Sequence, residues 1–599
     1  MMREPWRRLA PCAGVTAALA VAIRAIYLQQ LSGAPEFLHP VLDAAAHVEW
    51  ARAFLAGEWP GNEPHFRAPG YVWVLAAALR VVGDDPTRVA AVQLLAGAVT
   101  PVLTSLLAGR WFGVGTAWIA GVGAALAPMF LFFDAQLLDP ALSVPLVLAA
   151  VIALGEAAGT NRARVALVAG LLAGAVAIVR PPLAIAVMLP VFVLLVRRGF
   201  CRRRLGAWVA GFALLPLAVT AQNAMRGDAV IVASQGGLNF YLGNGVNADG
   251  HSATFAERPD LTGYRIIEAA RGIAEAERGA PLRDSEVSAY WTARAAGDIR
   301  SDPARWLALL AKKSFLFGFV REIPNNHDAA LFAERFPFLR WLPGWGVWLP
   351  LGVAGWIAAR RRSGAHEVGA VVLGVFVVCV AFFVNARFRV PALPFWIVLA
   401  AAGWTAIATR RERIVFAAVA AATAMAFHVN VYGIPTSVWL PSYVLLAEAE
   451  RARNEPVRAL RWTERALERE PGFYAARMLQ IELLRGMGRV GDALDIVHAG
   501  LAVLPDNVPL LTEHGALLDL AGEPERALVP LDRAIATDPG YDPARVNRAI
   551  VLVRLGRTDD AVRELRSLLD GSAGSSAASR AAALLTAIER GELTPLRGK

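Results

Sequence analysis

Two of the chain's polar segments carry acidic side chains beside long apolar stretches. The first reads Leu42-Asp-Ala-Ala-Ala-His-Val-Glu-Trp50, and helical spacing places Asp43, His47 and Trp50 on one face. A carboxylate beside an imidazole and an indole suits a sugar-binding site. Asp43 would equally serve as the first-turn cap of an amphipathic interfacial helix, and a lone histidine such as His47 is more often structural.

The second segment reads Phe132-Phe-Asp-Ala-Gln-Leu-Leu-Asp-Pro140 and lies in a short link between two apolar stretches. Its two carboxylates, Asp134 and Asp139, would contact an acceptor molecule or cap the following helix. The segment is therefore a second candidate for substrate binding.

Arginine also lies at the outer ends of apolar stretches. Arg387 and Arg389 stand just outside a predicted helix end, on the side of the membrane where the positive-inside rule disfavours them. Planar guanidinium groups form bidentate bonds with phosphate, so the pair is predicted to hold a polyprenyl-phosphate head group, with ordinary lipid phosphate as the alternative ligand. Arg180, followed by two prolines, is a similar external arginine.

Membrane-spanning helices must position these segments. The 599 residues are 56% hydrophobic, and apolar stretches of about 20 residues recur from Leu9 to about Val429. The basic excess lies in clusters beside these stretches, which is typical of orientation signals and argues against nucleic-acid binding. The three cysteines show no paired spacing, so neither a disulfide framework nor a zinc site is predicted.

The distribution of basic residues along the chain predicts how its helices are oriented in the membrane. Basic clusters mark the cytoplasmic ends of helices at residues 7–8, 162–164, 197–204, 360–362 and 410–413. Eleven crossings satisfy all of these clusters, near residues 9–29, 88–108, 114–132, 137–157, 164–179, 182–196, 205–222, 341–359, 367–385, 390–409 and 414–429. The apolar segment 69–83 is too short to cross and is predicted to be half-inserted or external. The loops 30–87 and 223–340 and the C-terminal region then share the non-cytoplasmic face, whereas the N-terminus is cytoplasmic.

From about Pro441 the sequence repeats with a period of 34 residues, which is the tetratricopeptide pattern. Three sets of residues recur in register: Asn454, Gly488, Gly522 and Gly556; Ala459, Ala493, Ala527 and Ala561; and Pro471, Pro505 and Pro539. We therefore predict a transmembrane domain over 1–432 and a repeat solenoid over 436–592. The repeats would bind a partner or acceptor, or only stabilise or dimerise the protein.

The order of these segments resembles the bacterial relatives of protein O-mannosyltransferases and lipid A aminoarabinose transferases, in the glycosyltransferase C superfamily. The resemblance covers most of 1–429, and its most specific parts are 66–71, 235–244, 248–250, 290–291, 312–313 and 386–391. It implies an all-α polytopic helical bundle in the bacterial inner membrane. Several such proteins carry C-terminal tetratricopeptide repeats, which would here be periplasmic.

The resemblance also implies a reaction, the inverting transfer of a sugar from a polyprenyl-phosphate donor to an acceptor hydroxyl or amine. It places the catalytic aspartate at Asp43, where it accepts the acceptor's proton, and the second acidic motif at Asp139. Arg387 and Arg389 would offset charge on the departing phosphate. Many mannosyltransferases of the family have an acidic residue directly after the first aspartate, whereas this chain has Ala44, which leaves the acceptor class open.

The remaining predicted substrate-binding residues are Glu63, Arg67, Tyr71, Asn239 and Asn244, all in or beside the external loops. The sequence has neither a P-loop nor a dinucleotide fingerprint, so no nucleotide cofactor is expected. Asp43, Asp139 and His47 would be the residues to surround a divalent cation, but their spacing is not diagnostic, and metal-independent chemistry is expected.

Three alternative functions stay open. A transporter or flippase needs polar residues along a path through the bilayer midplane, whereas charges here lie mostly at helix ends, with Arg24 as an exception. A noncatalytic scaffold would use the repeats to recruit partners for envelope assembly. A lipid-linked glycan ligase or polymerase also has many helices and a large external loop, but usually takes diphosphate-linked donors.

Overall fold

A computed structural model of the chain describes residues 3–160, 162–198, 200–253, 255, 265–434, 438–571 and 576–590. Within these residues all regular structure is helical, which confirms the predicted all-α class. The chain divides into two compact units between Trp439 and Leu440.

Among the described residues, the first unit contains 22 α-helices and three short 3-10 turns. The helices are α1 (Arg3–Leu31), α2 (Pro35–Leu38), α3 (Asp43–Ala56), α4 (Gly70–Val82), α5 (Pro86–Ala96), α6 (Val99–Phe112), α7 (Val114–Ala125), α8 (Pro128–Asp134), α9 (Pro140–Gly159), α10 (Ala163–Val179), α11 (Ala184–Arg198), α12 (Arg202–Met225), α13 (Gly236–Asn244), α14 (Arg265–Arg278), α15 (Asp284–Ser301), α16 (Pro303–Gly318), α17 (Ala329–Arg335), α18 (Trp345–Ala359), α19 (Ala365–Ala381), α20 (Ala386–Arg389), α21 (Leu393–Trp404) and α22 (Arg410–His428). The 3-10 turns are Pro181–Leu183, Pro337–Trp341 and Val390–Ala392.

Six helical segments of the described residues are long and apolar enough to cross a membrane, and the pair α7 and α8, bent by 53°, makes a seventh if it counts as one span. The six are Trp6–Leu31, Pro86–Phe112, Pro140–Gly159, Arg202–Met225, Pro337–Ala359 and Ala386–Trp404. Shorter apolar helices are Gly70–Val82, Ala163–Val179, Pro181–Arg197 and Ala365–Ala381. The eleven crossings stay a prediction, and α22, taken as the last of them, belongs to neither group.

Small residues let the long helices approach closely. A Cβ atom on Gly170 of α10 would lie 2.0 Å from the carbonyl oxygen of Trp208 in α12. A Cβ atom on Gly211 of α12 would in turn lie 2.2 Å from the carbonyl oxygen of Leu167. Backbone contact through glycine is typical of helix pairs in membranes, where close van der Waals packing drives association.

The second unit is a series of antiparallel helix pairs. Its helices are α23 (Pro441–Ala452), α24 (Pro456–Arg469), α25 (Tyr474–Gly486), α26 (Val490–Val503), α27 (Val508–Leu520), α28 (Pro524–Thr537), α29 (Asp542–Arg554), α30 (Thr558–Gly571) and α31 (Ser576–Glu589). The turn residues Asn454, Gly488, Gly522 and Gly556 all have positive φ, between 59° and 84°. Such backbone favours glycine and tolerates asparagine, which explains the repeating turn position. The predicted repeat solenoid is confirmed.

Candidate functional site

The site begins at Asp43, the first residue of α3. Its two side-chain oxygens contact two arginines from distant parts of the chain. Oδ1 lies 2.9 Å from Nη1 of Arg67, and Oδ2 accepts a hydrogen bond of 2.5 Å from Nη1 of Arg387. The geometry therefore favours the site interpretation of Asp43 over the helix-cap interpretation.

Asp139, directly before α9, continues this arrangement. Its Oδ1 accepts from Nε and Nη2 of Arg387 at 3.0 and 2.5 Å, and its Oδ2 accepts from Nη1 of Arg180 at 2.8 Å. Asp139 makes no side-chain cap bond to α9. Arg67, Asp43, Arg387, Asp139 and Arg180 thus form an alternating chain of charges, here called the arginine–aspartate ladder.

The ladder is buried and has an excess of positive charge. The exposed fraction of its side chains ranges from 8% for Arg180 to 23% for Arg67. Burial raises the pKa of the Asp43 carboxyl, but the attraction of Arg67 and Arg387 is stronger and holds that pKa well below its usual range. Asp43 is therefore ionised, and Asp139 pairs with two arginines in the same way. Three guanidinium groups face these two carboxylates. The ladder as a whole thus carries one more positive than negative charge.

His47 lies one helical turn after Asp43 and is neutral at neutral pH. Burial, reinforced by the charge of Arg67, lowers its pKa to about 4. Its Nδ1 lies 3.0 Å from the carbonyl oxygen of Leu137. Because a carbonyl oxygen only accepts, Nδ1 carries the proton and donates it, which leaves Nε2 as an acceptor.

Aromatic rings surround this part of the site. The His47 ring centroid lies 6.1 Å from that of Trp50 and 5.1 Å from that of Tyr71, and the Arg67 guanidinium lies 5.9 Å from the Trp50 ring. Trp50 in turn stacks on Trp59 at 5.9 Å with an interplanar angle of 22°. Sequence reasoning missed Trp59, since nothing in its spacing connects it to Trp50.

Tyr71 and Asp134 lie in a neighbouring polar network. Tyr71 Oη donates to Oε1 of Gln93 at 2.7 Å, and Nε2 of Gln93 donates to the backbone oxygens of Asp134 and Gln136 at 3.0 and 2.6 Å. The Asp134 carboxylate itself accepts a bond of 2.6 Å from Nη2 of Arg24, which is fully buried in α1. Asp134 therefore pairs outside the ladder.

Arg389 is placed differently from its prediction. It is fully buried, and its guanidinium donates to the backbone oxygens of Phe319 and Arg321 and, at 2.9 Å, to Oε2 of Glu322. It also lies 4.6 Å over the Trp345 ring. Arg389 thus binds the protein itself through both Nη atoms, and the phosphate contact stays a prediction for Arg387, Arg389 and Arg180.

Asn244 joins the end of α13 to two other helices. Its Nδ2 donates to the backbone oxygen of Ala381 at 2.8 Å, and its Oδ1 accepts from Nε1 of Trp306 and Nζ of Lys313 at 3.1 and 3.0 Å. Lys313 is fully buried, and burial lowers its pKa to about 7. These bonds give Asn244 a structural role in this arrangement.

Glu63 and Asn239 complete the predicted set. Glu63 is exposed in the loop before α4, and Asn239 is half-buried in α13. Within the described residues, neither side chain forms a hydrogen bond or ion pair with the ladder. No group of three His, Cys, Asp or Glu side chains in that part of the chain is arranged to hold a metal ion.

Comparison with known proteins bears on both units. Residues 66–222 match the family model described as dolichyl-phosphate-mannose-protein mannosyltransferase, and residues 520–588 match a tetratricopeptide repeat model. The resemblance found in the sequence is confirmed by both matches. The first range contains Arg67, Asp139 and Arg180, three members of the ladder. No curated protein matches the chain.

Similar solved structures are repeat proteins. TTC0263, a tetratricopeptide repeat protein from Thermus thermophilus, is 20% identical, with 30% of this chain and 94% of that chain covered and a TM-score of 0.23. YrrB, a tetratricopeptide repeat protein with an unusual peptide-binding site, is 23% identical, with coverages of 25% and 77% and a TM-score of 0.20. MamA from Desulfovibrio magneticus is 17% identical, with coverages of 23% and 78% and a TM-score of 0.21.

Proposed function

We propose that the protein is a membrane glycosyltransferase that moves a sugar from a polyprenyl-phosphate donor to an acceptor on the non-cytoplasmic face, with inversion at the anomeric carbon. The arginine–aspartate ladder is the observation that carries this proposal. Its single excess positive charge suits a phosphodiester, which is the form of phosphate in a polyprenyl-phosphate sugar and has a single negative charge. A diphosphate-linked donor would bring two negative charges, so the ladder favours the monophosphate.

The proposed reaction uses Asp43 as the general base and Arg387 as the phosphate ligand. The acceptor oxygen or nitrogen forms a bond to the anomeric carbon while the bond from that carbon to the phosphate oxygen breaks, and the bonding electron pair leaves with the phosphate. The acceptor's proton passes to Asp43 as general base, and Arg387 stabilises the second negative charge that develops on the phosphate. Attack on the face opposite the phosphate inverts the configuration.

Donor binding would also activate the base. While Arg67 and Arg387 both contact Asp43, its carboxylate is a weak proton acceptor, because the two positive charges hold its pKa low. A phosphate that draws Arg387 away removes part of this stabilisation and raises the proton affinity of Asp43. The order of events is therefore donor first, then deprotonation of the acceptor.

The repeat unit is the proposed contact for an acceptor or partner protein. It has a cavity of about 230 Å³ lined by Val444, Met478, Glu448, Glu482 and Arg485, among others, on α23, α25 and α27. These are the first helices of successive repeats, so the cavity lies along one continuous face. The mixture of apolar and charged lining is suited to a protein segment rather than to a lipid chain.

The test of the proposed activity is sugar transfer by the purified full-length protein in liposomes. The assay follows radiolabelled sugar from polyprenyl-phosphate donors to envelope extracts, with wild type and Asp43→Asn compared. Loss of the base should lower transfer by about 10²–10⁴-fold. Asp84→Asn is the matched control, because Asp84 is 65% exposed and pairs only with the exposed Arg52 at 2.7 Å among the described residues.

The outcomes separate the candidate functions. Equal transfer by wild type and Asp43→Asn would remove Asp43 from the mechanism. If neither protein transfers sugar while both fold and insert, the scaffold or transport function is favoured instead. Transfer from diphosphate-linked donors alone would identify a glycan ligase.

A further inference from the structure

The segment Glu322–His327, here called the amide loop, holds buried polar atoms that have no hydrogen-bond partner among the described residues. They are Oε1 of Glu322, Oδ1 of Asn325 and Nδ2 of Asn326. Nδ2 of Asn385 is buried and without a partner as well, and Asn385 is only 1% exposed. Three such atoms therefore lie in the amide loop, and a fourth lies in a second segment.

The two segments are in direct contact. The backbone N–H of Ala386 donates to the backbone oxygen of Ile323 at 2.9 Å, so Asn385 lies against the amide loop. Ala386 directly precedes Arg387 of the ladder. The start of the amide loop and Asn385 thus lie beside the short helix that carries the proposed phosphate ligand.

The other end of the amide loop is His327, whose ring centroid lies 6.0 Å from that of Phe332. Burial and the charge of Arg335 lower the pKa of His327 to about 4, and the charge of Asp43 partly opposes them. His327 is therefore neutral at neutral pH.

The amide loop is also held firmly at both ends. Arg389 binds the backbone oxygens before it and the Glu322 carboxylate. Asp328, after it, accepts from the backbone N–H groups of Ala330 and Trp439 at 2.7 and 2.6 Å. A buried polar atom without a partner is costly to the folded chain. The anchors fix the backbone on both sides of Asn325 and Asn326.

The chemistry of the atoms identifies the matching part of the donor. An amide offers both donors and acceptors and a carboxylate oxygen accepts, which matches neighbouring sugar hydroxyls because each hydroxyl both donates and accepts. A phosphate has only acceptor oxygens and would leave the free oxygens of Glu322 and Asn325 unpaired. The prenyl chain has no polar atom at all.

We infer that the amide loop, together with Asn385, binds the hydroxyl groups of the sugar carried by the donor and thereby selects which sugar is transferred. This inference rests on the proposed glycosyltransferase function. It assigns the phosphate to the ladder and the sugar to the amide loop, so the two parts of the donor are separable by experiment.

The experiment compares the binding of bare polyprenyl phosphate with that of polyprenyl phosphates carrying mannose, glucose, galactose or 4-amino-arabinose to the full-length protein in detergent. Wild type should bind one of the glycosylated lipids more tightly than the bare lipid. Asn325→Leu and Asn326→Leu, near-isosteric changes, should each weaken that binding about tenfold, the loss of one buried hydrogen bond. Binding of bare lipid should not change, and the melting temperature should hold or rise, because no internal hydrogen bond is lost. Asn247→Leu, at an exposed position, is the control.

Each contrary result has a distinct meaning. Unchanged binding of every lipid by both leucine variants overturns the inference. A lower melting temperature with equal weakening for bare and glycosylated lipids also overturns it, because the amide loop would then be structural. If wild type binds no lipid, the proposed function itself fails. Arg387→Ala should weaken binding of bare and glycosylated lipids alike, which separates the phosphate contact from the sugar contact.

Discussion

At the scale of single residues, Arg387 joins the two carboxylates of the ladder, because its Nη1 contacts Asp43 and its Nε and Nη2 contact Asp139. Lysine keeps the charge but is a point donor that cannot span both carboxylates. Arginine at this position is therefore required by geometry as well as by charge.

We predict that Arg387→Ala destabilises the protein by about 1–3 kcal/mol, because Asp43 and Asp139 each lose one charged hydrogen-bond partner and keep one arginine. The same change should raise KM for the polyprenyl-phosphate donor more than tenfold, and Arg387→Lys should recover stability better than donor use. Thermal unfolding and donor titration in detergent measure the two effects. Arg52→Ala, which breaks an exposed pair with Asp84, is the control and should change stability and donor KM very little. An unchanged donor KM in Arg387→Ala would contradict the phosphate role.

Lys313 gives a prediction for the pH dependence of stability. Its pKa falls from an ordinary 10.5 to about 7 in the folded chain because it is buried. Between these values the unfolded chain binds a proton that the folded chain does not, so stability rises with pH from about 7 towards 10.5. The measurement is melting temperature against pH for wild type and Lys313→Met. The wild-type curve should rise more steeply above pH ~7, and parallel curves would show that Lys313 stays charged when buried.

The sequence predicted the members of the ladder but not their partners. Asp43 and Arg387 are 344 residues apart in the chain, and only the packing of the bundle brings them together. Arg389 shows what spacing does not reveal: the residues 386–389 form a short helix, in which positions two apart point to nearly opposite sides. The two arginines therefore face different surroundings. Arg387 faces the ladder, whereas Arg389 faces the backbone that precedes the amide loop.

At the scale of elements, the junction between α5 and α6 shows how a small residue makes room for a charge. A Cβ atom at Gly97 would lie 2.0 Å from Oδ2 of Asp134, the oxygen that accepts from Arg24. We predict that Gly97→Ala displaces this carboxylate and destabilises the protein by about 1–3 kcal/mol, as overpacking does. Gly206→Ala in α12 is the matched control, because a Cβ atom there meets open space. Equal melting temperatures for the two variants would show that the Arg24–Asp134 pair tolerates displacement.

The length of the apolar stretches in the sequence predicted the positions of the apolar helices better than it predicted the points at which those helices break. The segment predicted to cross at 114–132 is two helices bent by 53°, because Pro128 starts a new helix and cannot continue the old one. The last predicted crossing, α22, begins with three arginines and Glu412, which shorten its apolar part. Composition indicates a membrane segment, but local breakers and charges decide its ends.

At the scale of the whole molecule, the predicted topology places the basic cluster around Cys201 in the cytoplasm and the repeats outside it. Cys201 is exposed, whereas Cys12 and Cys379 are buried. Arg204 donates to its sulfur at 3.3 Å and lowers the thiol pKa, which favours reaction with maleimides. Under the predicted topology, Cys201 therefore serves as a reporter for the cytoplasmic face.

We predict that a membrane-impermeant maleimide leaves wild-type Cys201 unlabelled in intact spheroplasts and labels it after permeabilisation. The double variant Cys201→Ala with Val529→Cys should show the reverse and react in intact spheroplasts, because Val529 is 71% exposed on the repeat unit. Labelled protein is detected by mass spectrometry. Reaction of Cys201 in intact spheroplasts would invert the topology and place the ladder's loops on the cytoplasmic face.

The ladder has a consequence for how this protein can change over evolutionary time. Its inner members each contact two oppositely charged neighbours, so the loss of one charge changes the electrostatic environment of the next residue. The effects of substitutions along the ladder are therefore non-additive. Removing Asp139 together with Arg180 deletes a balanced pair from one end and keeps the single excess positive charge. Removing Asp139 alone leaves three guanidinium groups against one carboxylate, and removing Arg180 alone takes away the excess positive charge. Descendants of this sequence should therefore lose or exchange these residues in charge-balanced pairs, and the order of those changes is restricted to paths that never leave Arg387 without a carboxylate.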